Sequence, residues 1–268
     1  MKKIIKFLES KSKILRRDII RISYKKKTHH IGSCLSCVEI LIFVFFNFLK
    51  IEKLKKKEND FFVLSKGHAA LSYYIILKMK NFFSDKFLMK NYISNGGLLG
   101  GHPDRNTKLG IDYCSGSLGN GLSVGCGVSL SYLKDRVKKK VLVILGDGEC
   151  NEGMIWESAL FAGHHKLSNL FVFVDYNRQQ GFGTTDEILG LDSLKQKFQS
   201  FKWNVYEVNG HNFKELINIK KKLKKNNKKP SVIIANTIKG KGVPFYENTF
   251  ESHYKILSKS EFEKIKHL

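Results

Sequence analysis

Short runs in which every position is apolar alternate along this chain with longer stretches that repeat apolar residues at helical spacing. Phe61–Leu64, Val141–Leu145 and Leu170–Val174 are runs of the first kind, and Val232–Asn236 is apolar up to its closing Asn, the pattern of strands covered on both faces of a parallel sheet. Trp203–Val208 alternates with a period of two and reads as a further strand. Helical spacing marks residues 3–24 through Ile4, Phe7, Leu8, Ile14, Leu15, Ile19 and Ile22, and returns at 69–79 and 213–223. Cys37–Leu49 is apolar nearly all round and predicts a buried helix. Glycine-rich loops occupy Asn95–Pro103 and Cys114–Gly127, the second leading into a helix through about Leu133. Gly181–Gly190 has no periodicity and reads as a loop, Leu191–Phe201 as a short helix, and a last helix begins near Ser258. Strands alternating with helices, without repeats or linkers, predict an α/β fold: a parallel sheet flanked by helices, residues 1–268 forming a single domain.

One stretch organises the rest. Val141–Leu145 ends in Gly146-Asp147-Gly148, a helix of about 12 residues follows, and Leu170–Val174 ends in Asp175-Tyr176-Asn177. A right-handed crossover brings both strand ends to one edge of the sheet. Asp147 and Asn177 then sit together at the carboxyl edge, where open α/β sheets bind ligands. One carboxylate and one amide oxygen, with a backbone carbonyl nearby, form half an octahedral shell for a hard cation such as Mg²⁺, completed by diphosphate oxygens and water. A helix start just past Gly148 would add amide N–H groups facing phosphate.

Charge changes the picture less than its size suggests. The 268 residues hold 47 Lys+Arg against 24 Asp+Glu, a formal net charge of +23, which raises nucleic acid or an anionic membrane as partners. The excess is scattered and mostly Lys, beside abundant Ile, Phe and Asn. This is the profile of an A+T-biased coding sequence, and no basic stripe is interleaved with base-stacking aromatics, which argues against nucleic acid. The lysine run Lys220–Lys229 reads as a solvated helix end. An acidic partner protein or phosphorylated substrates would also use the positive field. The five cysteines (34, 37, 114, 126, 150) lack a framework spacing, and Cys34-x-x-Cys37 has no second pair to complete a zinc site. Ile40–Leu49 is half a bilayer span, and the N-terminus lacks a signal-peptide core. These features predict a reduced, cytoplasmic protein without membrane contact.

Four of the nine histidines fall at strand or loop ends among small residues: His30, His68, His102 and His253. Together with Gly-Asp-Gly followed about thirty residues later by Asn, they carry a resemblance to the transketolase family. It runs in order through RRDIIRISYKKKTHHIGSCLS, FVLSKGHAAL, LGGHPD, SGSLGNGLS, the Gly-Asp-Gly block and TIKGKGVPFYENTFESHY. Departures are few: His29 stands where the family usually has Gly, Ile31 where Pro is common, and Ser117 where many members have Pro. The resemblance implies thiamine diphosphate held through Mg²⁺, with Ca²⁺ or Mn²⁺ as substitutes. Asp147, Asn177 and the Gln179 carbonyl are its implied metal ligands. Gly116, Ser117 and Leu118 resemble the loop that touches the cofactor, and Gly146 and Gly148 lie against the diphosphate. His68 and His253 are similar to histidines contacting diphosphate and neighbouring substrate. His30 and His102 resemble those that polarise the donor carbonyl and move protons, and whether His29 or His30 faces the cofactor stays open. Glu152 and Glu157 resemble acidic residues linking paired active sites across a dimer interface. For Glu157 an exposed helix carboxylate is an equal reading of the residue itself.

Transketolases bind the cofactor between two domains, and no second α/β pattern follows here. The resemblance therefore implies the N-terminal subunit of a split transketolase, transferring a two-carbon ketol unit between sugar phosphates alongside a C-terminal subunit that carries the aminopyrimidine-binding domain. A heterotetramer of two copies of each chain is the expected assembly. The rival readings are an unusual-sugar ketolase, a deoxyxylulose phosphate synthase-like or 2-oxoacid dehydrogenase α-like enzyme, and a basic nucleic-acid-binding protein that has lost catalysis.

Overall fold

The computed structural model describes residues 1–225 and 228–267, so Asn226 and Asn227 of the lysine run lie outside the described residues. Its five strands are β1 (Phe61–Leu64), β2 (Val141–Gly146), β3 (Leu170–Tyr176), β4 (Asn204–Asn209) and β5 (Ser231–Asn236). They form one sheet in the order β1-β2-β3-β5-β4 with every pair parallel. All four apolar runs are strands, and the whole of β2 is buried, as expected for a strand with helices on both faces.

Alternate residues of the same strands feed two separate cores. Leu142, Ile144, Phe171, Phe173, Ile233 and Ala235 face a larger cluster completed by the helices Lys2–Lys26, Val38–Phe43, Ala70–Met79 and Phe213–Lys225. Val141, Val143, Leu145, Val172, Val174, Val232 and Ile234 face a second cluster with residues of the helices Asn120–Lys134, Gly153–His164 and Leu194–Ser200. Each fully buried aliphatic side chain contributes about 1.5–3 kcal/mol relative to an exposed one. Gly163 marks the tightest helix approach: a Cβ there would lie 1.7 Å from the Phe201 carbonyl oxygen.

Several boundaries differ from the periodicity. The apolar segment 37–49 is helical over Val38–Phe43 and continues as a wider π-turn over Val44–Phe48. The segment 181–190, read as a loop, holds the short helix Thr185–Leu189, whose Thr184 and Glu187 form a reciprocal capping box. Five residues are too few to show a period. Among the described residues no helix is long and apolar enough to cross a membrane.

Candidate functional site

The register of β2 on β3 pairs Gly146 with Asp175, so Asp147 and Asn177 leave the sheet at the same carboxyl edge. Both are nearly enclosed, with 3% and 8% of their surface exposed. One Asp147 carboxylate oxygen accepts from the Gly148 amide at 2.8 Å and the other from the Arg178 amide at 2.5 Å. The Asn177 Oδ1 accepts from the Gln179 amide at 3.0 Å. The chain leaving β3 is thus folded back onto the β2 tip. Burial, with the Asp175 charge next in weight, pushes the Asp147 carboxyl up to about 6 against the pull of the two amides and Lys66. The expected helix start past Gly148 is corrected here. A 3₁₀ turn, Gly148–Asn151, intervenes and the α-helix begins only at Gly153. Glycines at 148 and 153 around a turn let the chain rise off the sheet before it can close α-helical hydrogen bonds.

Four buried charged groups that the motifs did not single out, Lys66, Asp175, Glu149 and Lys239, build the floor. Lys66 ion-pairs with Asp175, both with 1% or less of the side chain exposed. Asp175 also accepts from Ser36 and Thr237 hydroxyls, each at 2.5 Å. Burial alone would raise the Asp175 carboxyl, but Lys66 and these hydroxyls hold it below its usual range. Glu149 accepts from the Ser65 hydroxyl and from the Gly119 and Gly146 amides at 2.9 and 3.1 Å, tying the end of β1, the end of β2 and the 115–119 loop together. The Lys239 ammonium donates to the Gln180 carbonyl at 2.9 Å and lies 3.4 Å from that of Gln179. Burial, and then the neighbouring Lys66 charge, lowers Lys239 to about 8. Its loop turns at Gly240, where φ is +78° and a Cβ would sit 2.1 Å from the Tyr246 carbonyl oxygen.

The four histidines meet above this floor. The His30 ring lies 4.9 Å from His253, 5.7 Å from His68 and 6.0 Å from His102, centroid to centroid. Its amide donates to the His253 carbonyl at 2.8 Å, and its backbone is left-handed, with φ 64°. His253 rides on the short helix Glu251–Tyr254, which closes the site from the C-terminal side. Burial is the main reason that His30 falls to about 4, His253 to about 3 and His68 well below its ordinary value. Neighbouring His and Lys charges add to it. These imidazoles are therefore neutral at pH 7 and can each donate and accept. His29 points elsewhere: its Nδ1 lies 2.5 Å from the Tyr254 carbonyl oxygen.

A cavity of about 550 Å³ opens over the sheet edge. Gly146, Asp147, Gly148, Asn177 and Gln179 line one side of it, and Leu118, Glu152, His68 and His253 another. Gly116, Ser117 and Glu157 are exposed and lie outside that lining, while His30 and His102 join through their ring contacts. The donor set suits a diphosphate held through a hard cation. Asp147 offers a carboxylate, Asn177 an amide oxygen and Gln179 a carbonyl. No cluster of three His, Cys, Asp or Glu at metal-holding distance occurs among the described residues, so remaining ligands would come from phosphate and water. Gln179 Oε1, Gln180 Nε2 and His253 Nδ1 are buried without a hydrogen-bond partner, which leaves polar capacity aimed at an occupant.

Comparison with known proteins gives the same outline. A family model described as the transketolase thiamine diphosphate binding domain matches residues 7–268. An apulose-4-phosphate transketolase subunit from Phocaeicola vulgatus is 36% identical over 262 residues, covering 97% of this chain and 92% of that protein. The 6-deoxy-6-sulfo-D-fructose transketolase subunit SqwG of a Clostridium species is 37% identical over 248 residues, covering 92% and 90%. The transketolase structure from Campylobacter jejuni superposes with a TM-score of 0.87 at 26% identity, covering 97% of this chain. The chain spans 42% of the length of that transketolase.

Proposed function

Because the chain belongs to the transketolase thiamine diphosphate-binding domain family, we propose that it is the diphosphate- and metal-holding subunit of a two-chain transketolase. A separate subunit would supply the aminopyrimidine-binding half, in a heterotetramer of two copies of each chain. The observation that carries this reading is the shared cavity: Asp147 and Asn177 at one sheet edge, with His68 and His253 facing them. Two relatives matched over nine-tenths or more of their own length are named as transketolase subunits, which supports the partner. Their names specify apulose-4-phosphate and 6-deoxy-6-sulfo-D-fructose, so a less common sugar is a second reading beside the pentose phosphates.

Asp147, Asn177 and the Gln179 carbonyl would hold Mg²⁺ against the diphosphate, with Gly148 close to it and Lys239 adding positive charge. Thiamine diphosphate, when bound, supplies the nucleophilic carbon and the electron sink for carbon–carbon bond cleavage. The protein's share is orientation and proton handling. His30, held neutral, and His102 beside it can donate a hydrogen bond to the carbonyl oxygen of a ketose and exchange a proton with its hydroxyl groups. His68 and His253 can bond phosphate or sugar oxygens while staying uncharged. Leu118 gives the cavity an apolar wall that keeps bulk water from the reacting carbon.

The decisive measurement mixes this chain with the product of a neighbouring frame carrying the aminopyrimidine-binding pattern. Ketol transfer from xylulose 5-phosphate, apulose 4-phosphate or 6-deoxy-6-sulfofructose should require both chains, thiamine diphosphate and Mg²⁺. Turnover by this chain alone would overturn the split assignment. Absence of turnover with any of the three donors would overturn the substrate class.

A further inference from the structure

His211 lines no part of the cofactor cavity, yet it is bonded to the residue before Lys239. The register of β4 on β5 pairs Asn209 with Asn236, so two residues further along each strand exit His211 meets Ile238. Its Nε2 accepts from the Ile238 amide at 2.9 Å, and its Nδ1 lies 2.8 Å from a Glu39 carboxylate oxygen. These partners fix the tautomer. An amide N–H only donates, so Nε2 carries no proton and the ring's single proton is on Nδ1, donated to Glu39. Glu39 is 5% exposed, and Arg16 takes both of its oxygens, at 2.5 and 2.8 Å. Burial would raise the Glu39 carboxyl, but His211 and Arg16 hold it below its usual range. Arg16 also donates through Nε to the Lys241 carbonyl at 3.0 Å. Gly242, where φ is +93°, makes room for that contact, since a Cβ there would lie 2.9 Å from the Arg16 Cδ. The loop after β5 is therefore held at Ile238 and at Lys241, on either side of Lys239, by side chains anchored in the helices Lys2–Lys26 and Val38–Phe43.

Lys239 needs such a hold. Its ammonium is buried, meets main-chain carbonyls rather than a carboxylate, and is opposed by the Lys66 charge. A buried cation in that setting stays where its backbone keeps it. The same loop bonds the Gly240 amide to the Gly32 carbonyl at 3.0 Å, two residues from His30. We propose that His211, as the neutral Nδ1–H tautomer, is a positioning residue for the cofactor cavity: it ties the Ile238 amide to the buried Arg16–Glu39 pair and so keeps Lys239 against the Gln179 and Gln180 carbonyls. The proposal rests on the reading of that cavity as the diphosphate site, with the Gln179 carbonyl among its metal ligands.

Two substitutions separate the two bonds of the imidazole. A Gln amide reaches the place of Nε2 and can accept from Ile238, whereas an Asn amide reaches only the place of Nδ1 and can donate to Glu39. Hydrogen–deuterium exchange, resolved at single amides of the full chain without cofactor, reads the anchor directly. The Ile238 amide should exchange about ten-fold faster or more in His211→Asn and close to the wild-type rate in His211→Gln. Titration calorimetry of the chain mixed with its partner subunit, in excess Mg²⁺, should rank thiamine diphosphate affinity in the same order. The expected loss is about three- to ten-fold for His211→Asn, the worth of one hydrogen bond, and little for His211→Gln. Each variant gives up one bond, so their urea midpoints should fall alike, and a residue acting through stability alone would weaken the cofactor equally in both. Unchanged Ile238 exchange in His211→Asn, or equal loss of affinity in the two variants, would overturn the proposal. Absence of thiamine diphosphate binding by the wild-type mixture would overturn the cofactor reading beneath it, and the exchange rates, measured without ligand, distinguish that failure from a failure of the anchor.

Discussion

Asp147 is held between forces that pull its protonation in opposite directions. Burial and the Asp175 charge favour the neutral acid, whereas the Gly148 and Arg178 amides and the Lys66 ammonium favour the carboxylate, with a balance at about 6. A divalent cation would settle it fully towards the carboxylate. Asp147→Asn keeps the shape and removes the charge, so Mg²⁺-dependent thiamine diphosphate binding should weaken about ten-fold or more by titration calorimetry. Unchanged affinity would remove Asp147 from the metal site. The histidines act on stability with the other sign. His30 and His253 have folded-state values of about 4 and about 3 against an ordinary 6.5. Their contribution is complete above pH 6.5 and is lost as pH falls towards 4 and 3, because only the unfolded chain then takes up protons readily. Asp147, raised from 3.8, contributes stability below 3.8 that is lost as pH rises through about 6. Between about pH 4 and 6 the two oppose each other. The urea midpoint should therefore drop less on acidification in His253→Asn than in the wild type, and more in Asp147→Asn. Identical drops in all three would refute the assignment.

Elements were legible where a pattern had room to declare itself. The β2–helix–β3 unit could be read from two apolar runs and the residues at their ends, and those ends do converge because parallel pairing leaves no other arrangement. The four histidines stood out against their small neighbours, and the structure gathers them around His30. Lys66, Lys239 and Glu149 did not stand out: in a chain with 47 basic residues a functional lysine has the same signature as a solvated one, and only burial separates them. Helices of four or five residues, such as Glu251–Tyr254 and Thr185–Leu189, complete barely one turn and leave no period to find. The Lys66–Asp175 pair shows how much such hidden elements matter, since it fastens the loop after β1 to the interior of β3. Lys66→Met leaves a buried carboxylate without its cation and should cost about 3–5 kcal/mol in urea denaturation. Asp175→Leu should cost a similar amount. The double variant should cost well under the sum, because no charge is then left uncompensated. Strict additivity would show that the two groups do not act as a pair.

At the scale of the whole molecule, the sheet is a shared wall between two apolar clusters. In β2, Leu142 and Ile144 serve one cluster while Val141, Val143 and Leu145 serve the other, and β3 and β5 divide their residues the same way. Neither cluster can be opened without stripping one face from the strands on which the other depends. The fold at large is thereby one cooperative unit even though its apolar interior is in two parts, and a single domain is the organisation we propose for the chain. Scanning calorimetry should show one transition, with calorimetric and van't Hoff enthalpies agreeing. Excess thiamine diphosphate with Mg²⁺ should move that transition to higher temperature as a whole, by mass action on the folded state. The alternative arrangement, in which the cofactor-facing loops melt ahead of the sheet, predicts a low-temperature shoulder that ligand removes while the main peak stays in place. That shoulder would show that the edge carrying Asp147 and Asn177 is stabilised apart from the sheet that presents it.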